Sequence, residues 1–147
     1  MAINSITFDA VTGTGEETTF YELFVDMGYC AGSELVTVYD TNYMSGSKIR
    51  VFETTENITI SAASPTIYFD TPFPYNPAEG NLIVDIIWPA GEGEFYSYNF
   101  PTAEVSSISG AYDLPEGFAF TDMSHLFLSD ALSLEQLTFA GIKASFR

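Results

Sequence analysis

Asp40, Asn42 and Asp70 are the first side chains in this sequence whose chemistry suggests a site. Asp40 and Asn42 stand two apart in "YDTNY", and Asp70 closes "PTIYFD" just ahead of a proline-rich stretch. Hard cations such as Ca²⁺ are held by several carboxylate, amide and carbonyl oxygens, often on loops. The trio is therefore read as a candidate Ca²⁺ site, with Glu16, Glu17, Glu79 and Asn81 as further oxygens in neighbouring loops. None of these stretches has the spacing of a complete EF-hand loop. The competing reading is a solvated acidic rim.

A second kind of chemistry is sugar recognition by aromatic platforms beside polar groups. Tyr96 and Tyr98 in "EFYSYNF" and Tyr43 in "TNYM" are the candidates, with Tyr29 in "GYC" as another. Aromatics spaced by two also serve as sheet core, which is the structural reading of the same residues. Nucleophilic catalysis has only Cys30 and His125 to draw on, the sole thiol and sole imidazole. Neither sits in a nucleophile elbow or beside a glycine-rich oxyanion turn. Zinc wants more Cys and His than the chain has. Twenty acids make a carboxylate pair unavoidable, so such a pair carries no signal for glycosidase chemistry. A Lys–Asn isopeptide cross-link would have Lys48 or Lys143 as its amine. The expectation is a protein that is not an enzyme.

The charge balance narrows the partners. Twenty acids against Lys48, Arg50, Lys143 and Arg147 give a net charge of −16 over 147 residues. Phosphate backbones are bound by neutralising them with Lys and Arg, so nucleic acid is excluded as a natural partner. Anionic lipid would repel the chain. The run from Leu82 to Trp88 is broken by Asp85 and far too short to span a bilayer, so no membrane insertion is expected. A single cysteine allows no intrachain disulfide. The start "MAINSITF" lacks the basic and apolar regions of a signal peptide. That leaves a cytoplasmic protein, or a mature or excised domain of an exported one.

The elements that must position these groups read as strands. Thr, β-branched and aromatic residues abound, with 13 Phe and 9 Tyr. "INSITF" alternates as an edge-like first strand, followed by the loop "TGTGEE". "TFYELFVDMG" is apolar on both faces and suits a central strand. "ELVTVYD", "KIRVFE", "NITISA" and "PTIYFD" are further strands. In "TPFPYNPAEGNLIVDIIW", Pro72, Pro74 and Pro77 fix φ and extend their predecessors, predicting a stiff crossover. Phe73 and Tyr75 then point between two sheets. Leu82–Ile87 is apolar on both faces and should be central and covered. "GEGEFYSYNF", "AEVSSISG", "SHLFLSD" and "TFAGIKASF" add strands, and "ALSLEQL" one or two helical turns. The prediction is one all-β domain over residues 1–147, an antiparallel β-sandwich, jelly-roll-like, of about ten strands.

"FDTPFPYNPAEGNLIVDIIW" resembles a segment that recurs in β-sandwich regions of bacterial secreted and surface proteins bearing C-terminal sorting signals. "ITFDAVTGTGEETTFYELFVDMGYC" and "SELVTVYDTNYMSGSKIRVFE" are similar to the strands that precede it, so the likeness runs from about Ile3 to Trp88. It implies an extracellular, non-catalytic structural or adhesive module, and no catalytic residues come with it. On that basis the expected partners are a second copy, in a self-assembling fibre, or a cell-surface or extracellular polymer. A carbohydrate-binding module is the alternative.

Overall fold

The computed structural model describes residues 1–9, 17–93, 99–101, 107–120, 122–124, 126–130 and 142–146, with backbone alone at 99–101, 120, 122–124 and 142–146. Among them are fourteen strand segments and no α-helix. In chain order these are β1 (Ala2–Phe8), β2 (Glu17–Phe20), β3 (Leu23–Tyr29), β4 (Ile49–Thr54), β5 (Ile58–Ser61), β6 (Thr66–Pro74) and β7 (Leu82–Ile87). They continue with β8 (Gly91–Gly93), β9 (Asn99–Pro101), β10 (Ser107–Ser109), β11 (Phe118–Phe120), β12 (Asp122–Ser124), β13 (Leu126–Asp130) and β14 (Ile142–Phe146). About ten were expected, and the excess consists of three-residue pieces such as β8, β11 and β12. The Tyr96, Tyr98 and His125 positions, most of "TGTGEE", "ALSLEQL" and Gly141 lie outside the described residues.

Among the described residues four sheets form, none of them closed. Their orders are β13-β1-β6, β11-β10-β14-β7-β3-β4, β12-β9 and β5-β2-β8. Pairing is antiparallel except around β14, which runs parallel to both β7 and β10. The six-stranded sheet is therefore mixed, a departure from the all-antiparallel expectation.

One face of the six-stranded sheet carries Leu23, Val25, Met27 and Tyr29 of β3, and Leu82, Val84 and Ile86 of β7. These join Ile3 and Ile6 of β1, Ile67 and Phe73 of β6, and Leu126 and Leu128 of β13 in one buried cluster. All six residues of β7 are buried, as its two apolar faces predict. The opposite face has its own smaller apolar group, with Tyr39, Ile83 and Ile108 almost fully covered. Gly117 makes that packing possible. A Cβ there would overlap the Tyr39 hydroxyl and crowd Ile108 Cγ2 and the Ser109 carbonyl.

Three expectations need correction. β1 is the middle strand of its sheet, not an edge. Its register skips Asn4 between Ile3 and Ser5, and this bulge turns Ile3 and Ile6 to the same side, both fully buried. "ELVTVYD" is not a strand. Residues Tyr39–Asn42 make a 3₁₀ turn, with only an isolated bridge from Val38 to Glu116 before it. The cause is Asn42, whose buried amide accepts from Val36 N at 2.7 Å and donates to the carbonyls of Val36, Val38 and Tyr39. A side chain that captures this many backbone groups competes directly with a sheet ladder. Finally, Thr71–Pro74 belongs to β6 rather than to a crossover, with Phe73 opposite Ile3 and Pro74 opposite Ala2.

The turn that follows β6 is held by Tyr29. Its hydroxyl donates to the Pro74 carbonyl at 3.2 Å and accepts from Asn76 N at 2.8 Å. Its ring packs against Phe73 and stacks on Tyr75. Tyr29→Phe leaves both backbone groups without this partner. It should cost about 1–2 kcal/mol in urea unfolding. A change within error would show that water replaces the hydroxyl freely.

Candidate functional site

The face of β3 turned away from the main core carries Phe24, Asp26 and Gly28. In register across from them on β7 stand Ile87, Asp85 and Ile83. Asp26 and Asp85 are thus direct cross-strand neighbours, with Cβ atoms roughly 5 Å apart in such a pair. Asp26 is 2% exposed and Asp85 is fully buried. Like charges directly opposite one another are destabilising, and burial raises the cost.

Strand β4 supplies the compensation. Val25 pairs with Phe52 but Asp26 pairs with Arg50, so Val51 is an extra residue in the ladder. This bulge lets Val51 and Phe52 both reach the main core while Arg50 stays opposite Asp26. Arg50 Nε donates to Asp26 Oδ1 and its Nη2 donates to Oδ2 at 3.2 Å, a two-point grip on one carboxylate. Its Nη1 reaches Glu53 at 3.2 Å. The guanidinium carbon lies 4.6 Å from the centre of the Phe24 ring. The hydrogen bond to Asp26 raises the Arg50 pKa above its ordinary value, against the opposing effect of burial.

Lys48, just before β4, adds a second cation. Its Nζ is 3.4 Å from Asp26 Oδ2 and 3.3 Å from Asp40 Oδ1, and lies 4.8 Å from the centre of the Tyr43 ring. Tyr43 in turn donates its hydroxyl to Asp85 Oδ2 at 3.5 Å. Gly28 permits this arrangement, since a Cβ there would stand 2.7 Å from Tyr43 Cδ1. Its missing side chain lets the Tyr43 ring lie directly against the strand, with its hydroxyl on Asp85 and Lys48 over its face.

A cleft of about 390 Å³ opens at this cluster, lined by Phe24, Asp26, Lys48, Arg50, Ile87 and Tyr112. Tyr112 arrives on the 110–117 segment. That segment is tied to residues 37–39 by Gly117 N to the Thr37 carbonyl and Tyr39 N to the Pro115 carbonyl. The same two segments expose Val36, Val38, Leu114 and, at the start of β11, Phe118, which is 73% exposed. These residues form an exposed apolar rim, joined to the cleft of paired charges through Tyr112 on the 110–117 segment.

The residues read from the sequence distribute as follows. Asp40 and Tyr43 do meet at Lys48. Asn42 braces its own loop with every polar atom of its amide, as described above. Asp70 accepts from Glu53 N at 3.2 Å, tying β6 to β4. Among the described residues no group of three or more His, Cys, Asp or Glu side chains is arranged to hold a metal ion. Tyr29 is a core residue, not a sugar platform, and Cys30 is buried. Tyr96 and Tyr98 lie outside the described residues. The sequence reading missed Asp26, Asp85, Arg50, Phe24 and Tyr112. The available signal was a charge inside each of two apolar strands, "LFVDMG" and "LIVDII", with a basic strand in between. Comparison with protein-family models, curated proteins and solved structures finds no match to this chain.

The two cations are not equivalent. Arg50→Met removes the two-point grip and should cost about 2 kcal/mol, less than for a fully buried pair because the guanidinium is 42% exposed. Lys48→Met should cost under about 1 kcal/mol, since its bonds are single and longer. Urea unfolding of both variants checks the order, and a larger loss at Lys48 would reverse the assignment of the main counter-charge.

Proposed function

We propose that this chain is a non-catalytic, extracellular structural or adhesive module of a bacterial surface or secreted protein, built as a jelly-roll-like β-sandwich. The apolar rim carries the reading. Val36, Val38, Leu114 and Phe118 are exposed together on segments bonded to one another. Clustered exposed apolar residues with a polar border are the mark of an interaction surface. The buried cluster shared by the six-stranded sheet and β13-β1-β6 supports the sandwich. The likeness of Ile3–Trp88 to bacterial secreted β-domains supports the location. The acidic surface keeps so aromatic a chain soluble.

Fibre assembly is the second reading. It is favoured by Phe118 on β11, an outer strand of the six-stranded sheet among the described residues. An outer strand offers backbone groups for addition of a strand from another copy. Light scattering on the native chain separates the two, since growing particles favour the fibre and a monomer at high concentration removes it.

The adhesive reading predicts that Leu114→Ser combined with Phe118→Ser leaves stability within about 1 kcal/mol, as surface changes do. The same variant should lower co-sedimentation of the chain with intact bacterial cells about fivefold or more, the effect of losing an interface hot spot. Unchanged co-sedimentation, or a native chain that does not sediment with cells at all, overturns it.

A further inference from the structure

We infer that the cleft at Arg50 is a binding site for an uncharged oligosaccharide. This names the ligand class of the adhesive module proposed above and rests on that reading. Its volume falls within the roughly 300–1,000 Å³ of small-ligand clefts. Its lining combines three kinds of contact that a sugar ring needs.

The first is a set of fixed donors. Arg50 is locked by Asp26, Glu53 and the Phe24 ring, so its orientation is set before any ligand arrives. Among the described residues three of its five N–H donors are engaged, and the planar fork presents its remaining edge in a known direction. Lys48 is held less tightly, by single contacts to Asp26 and Asp40 and by the Tyr43 face. Little side-chain entropy remains to be lost when a ligand hydroxyl accepts from Arg50.

The second is an acceptor of opposite sign beside each donor. The carboxylates of Asp40 and Glu53 are 77% and 58% exposed and border the two cations. A sugar hydroxyl both donates and accepts, so adjacent hydroxyls match adjacent charges of opposite sign. The third is an exposed aromatic ring. Tyr112 is half exposed and offers its ring to the C–H face of a pyranose ring, while Phe24 and Ile87 back the cleft from beneath.

Charge decides between a neutral and an acidic sugar. Each cation in the cleft is already paired with two carboxylates, so a ligand carboxylate would compete with a built-in partner. It would also have to approach a protein of net charge −16. An uncharged polyol keeps every existing ion pair and adds charge-assisted hydrogen bonds to it.

The test is an NMR titration of the full chain with neutral glucan, mannan and xylan oligosaccharides, and with polyuronate oligosaccharides of similar length. The expected result is that a neutral oligosaccharide shifts the Arg50 Nε–H and Tyr112 amide signals. Its affinity should be nearly the same at low and high salt. Tyr112→Ala, a change at an exposed ring, should weaken it about tenfold, a typical loss for an aromatic anchor. Arg50→Lys should weaken it as well, because an ammonium cannot reproduce the fork. Tighter binding of a polyuronate that fades with salt overturns the neutral assignment. Absence of any shift at Arg50 and Tyr112 with every sugar overturns the cleft as a glycan site. That result leaves the adhesive reading standing if the Leu114 and Phe118 variant still loses cell binding.

Discussion

Two aspartates facing one another across the middle of a covered sheet set the terms for the rest of this molecule. Asp26 and Asp85 sit on β3 and β7, the two strands with the most buried side chains. A carboxylate taken from water is costly, and two side by side are worse. The neighbourhood is organised around that cost. The bulge at Val51 keeps Arg50 opposite Asp26, Gly28 makes room for Tyr43 to reach Asp85, and Lys48 adds a second cation at Asp26. In a ladder of period two, a one-residue slip of β4 would turn Arg50 into the main core and strand Asp26. The ion pair therefore specifies register as much as it stabilises.

The two faces of the six-stranded sheet follow different rules. The core face is mostly aliphatic, and it holds β1, β6 and β13 chiefly through packing, with the Tyr29 hydroxyl and the Asp70 carboxylate adding hydrogen bonds to and from β6. The other face mixes a small apolar group around Tyr39 and Ile108 with the acid–base cluster. Among the described residues its cover comes from the loops around Tyr39 and residues 110–117, and loops can carry exposed groups that a packed sheet cannot. That is why the cleft and the apolar rim lie on this side. Asn42 and Gly117 shape those loops from within, one by gathering backbone bonds and the other by leaving space for Tyr39.

Parts of this were legible in the sequence and parts were not. The covered central position of β7 follows from "LIVDII", whose two faces are both apolar. The inward placement of Phe73 follows from the prolines that flank it. Ile3 and Ile6, three apart in a strand, disagree with a period of two, and that disagreement was the readable sign of a bulge. The bulge at Val51 leaves no such sign, because "IRVFE" alternates acceptably without it. Asn42 carries oxygen and looked like a metal ligand, but an amide is equally a mimic of the backbone, and burial selects that use. Asp26 and Asp85 looked like interruptions of apolar runs. Only the pairing of β3 with β7 makes them one site, and the pairing of distant strands is not encoded in local alternation.

The coupling between Asp26 and Arg50 tests this account most directly. A double-mutant cycle with Asp26→Asn and Arg50→Met, read by urea unfolding, isolates it from the separate cost of each change. If the pair sets the β3–β4 register, the two changes together should cost at least about 1.5 kcal/mol less than the sum of the single changes. Additive losses would contradict the account, because they would mean that Asp26 is accommodated in the sheet without its arginine.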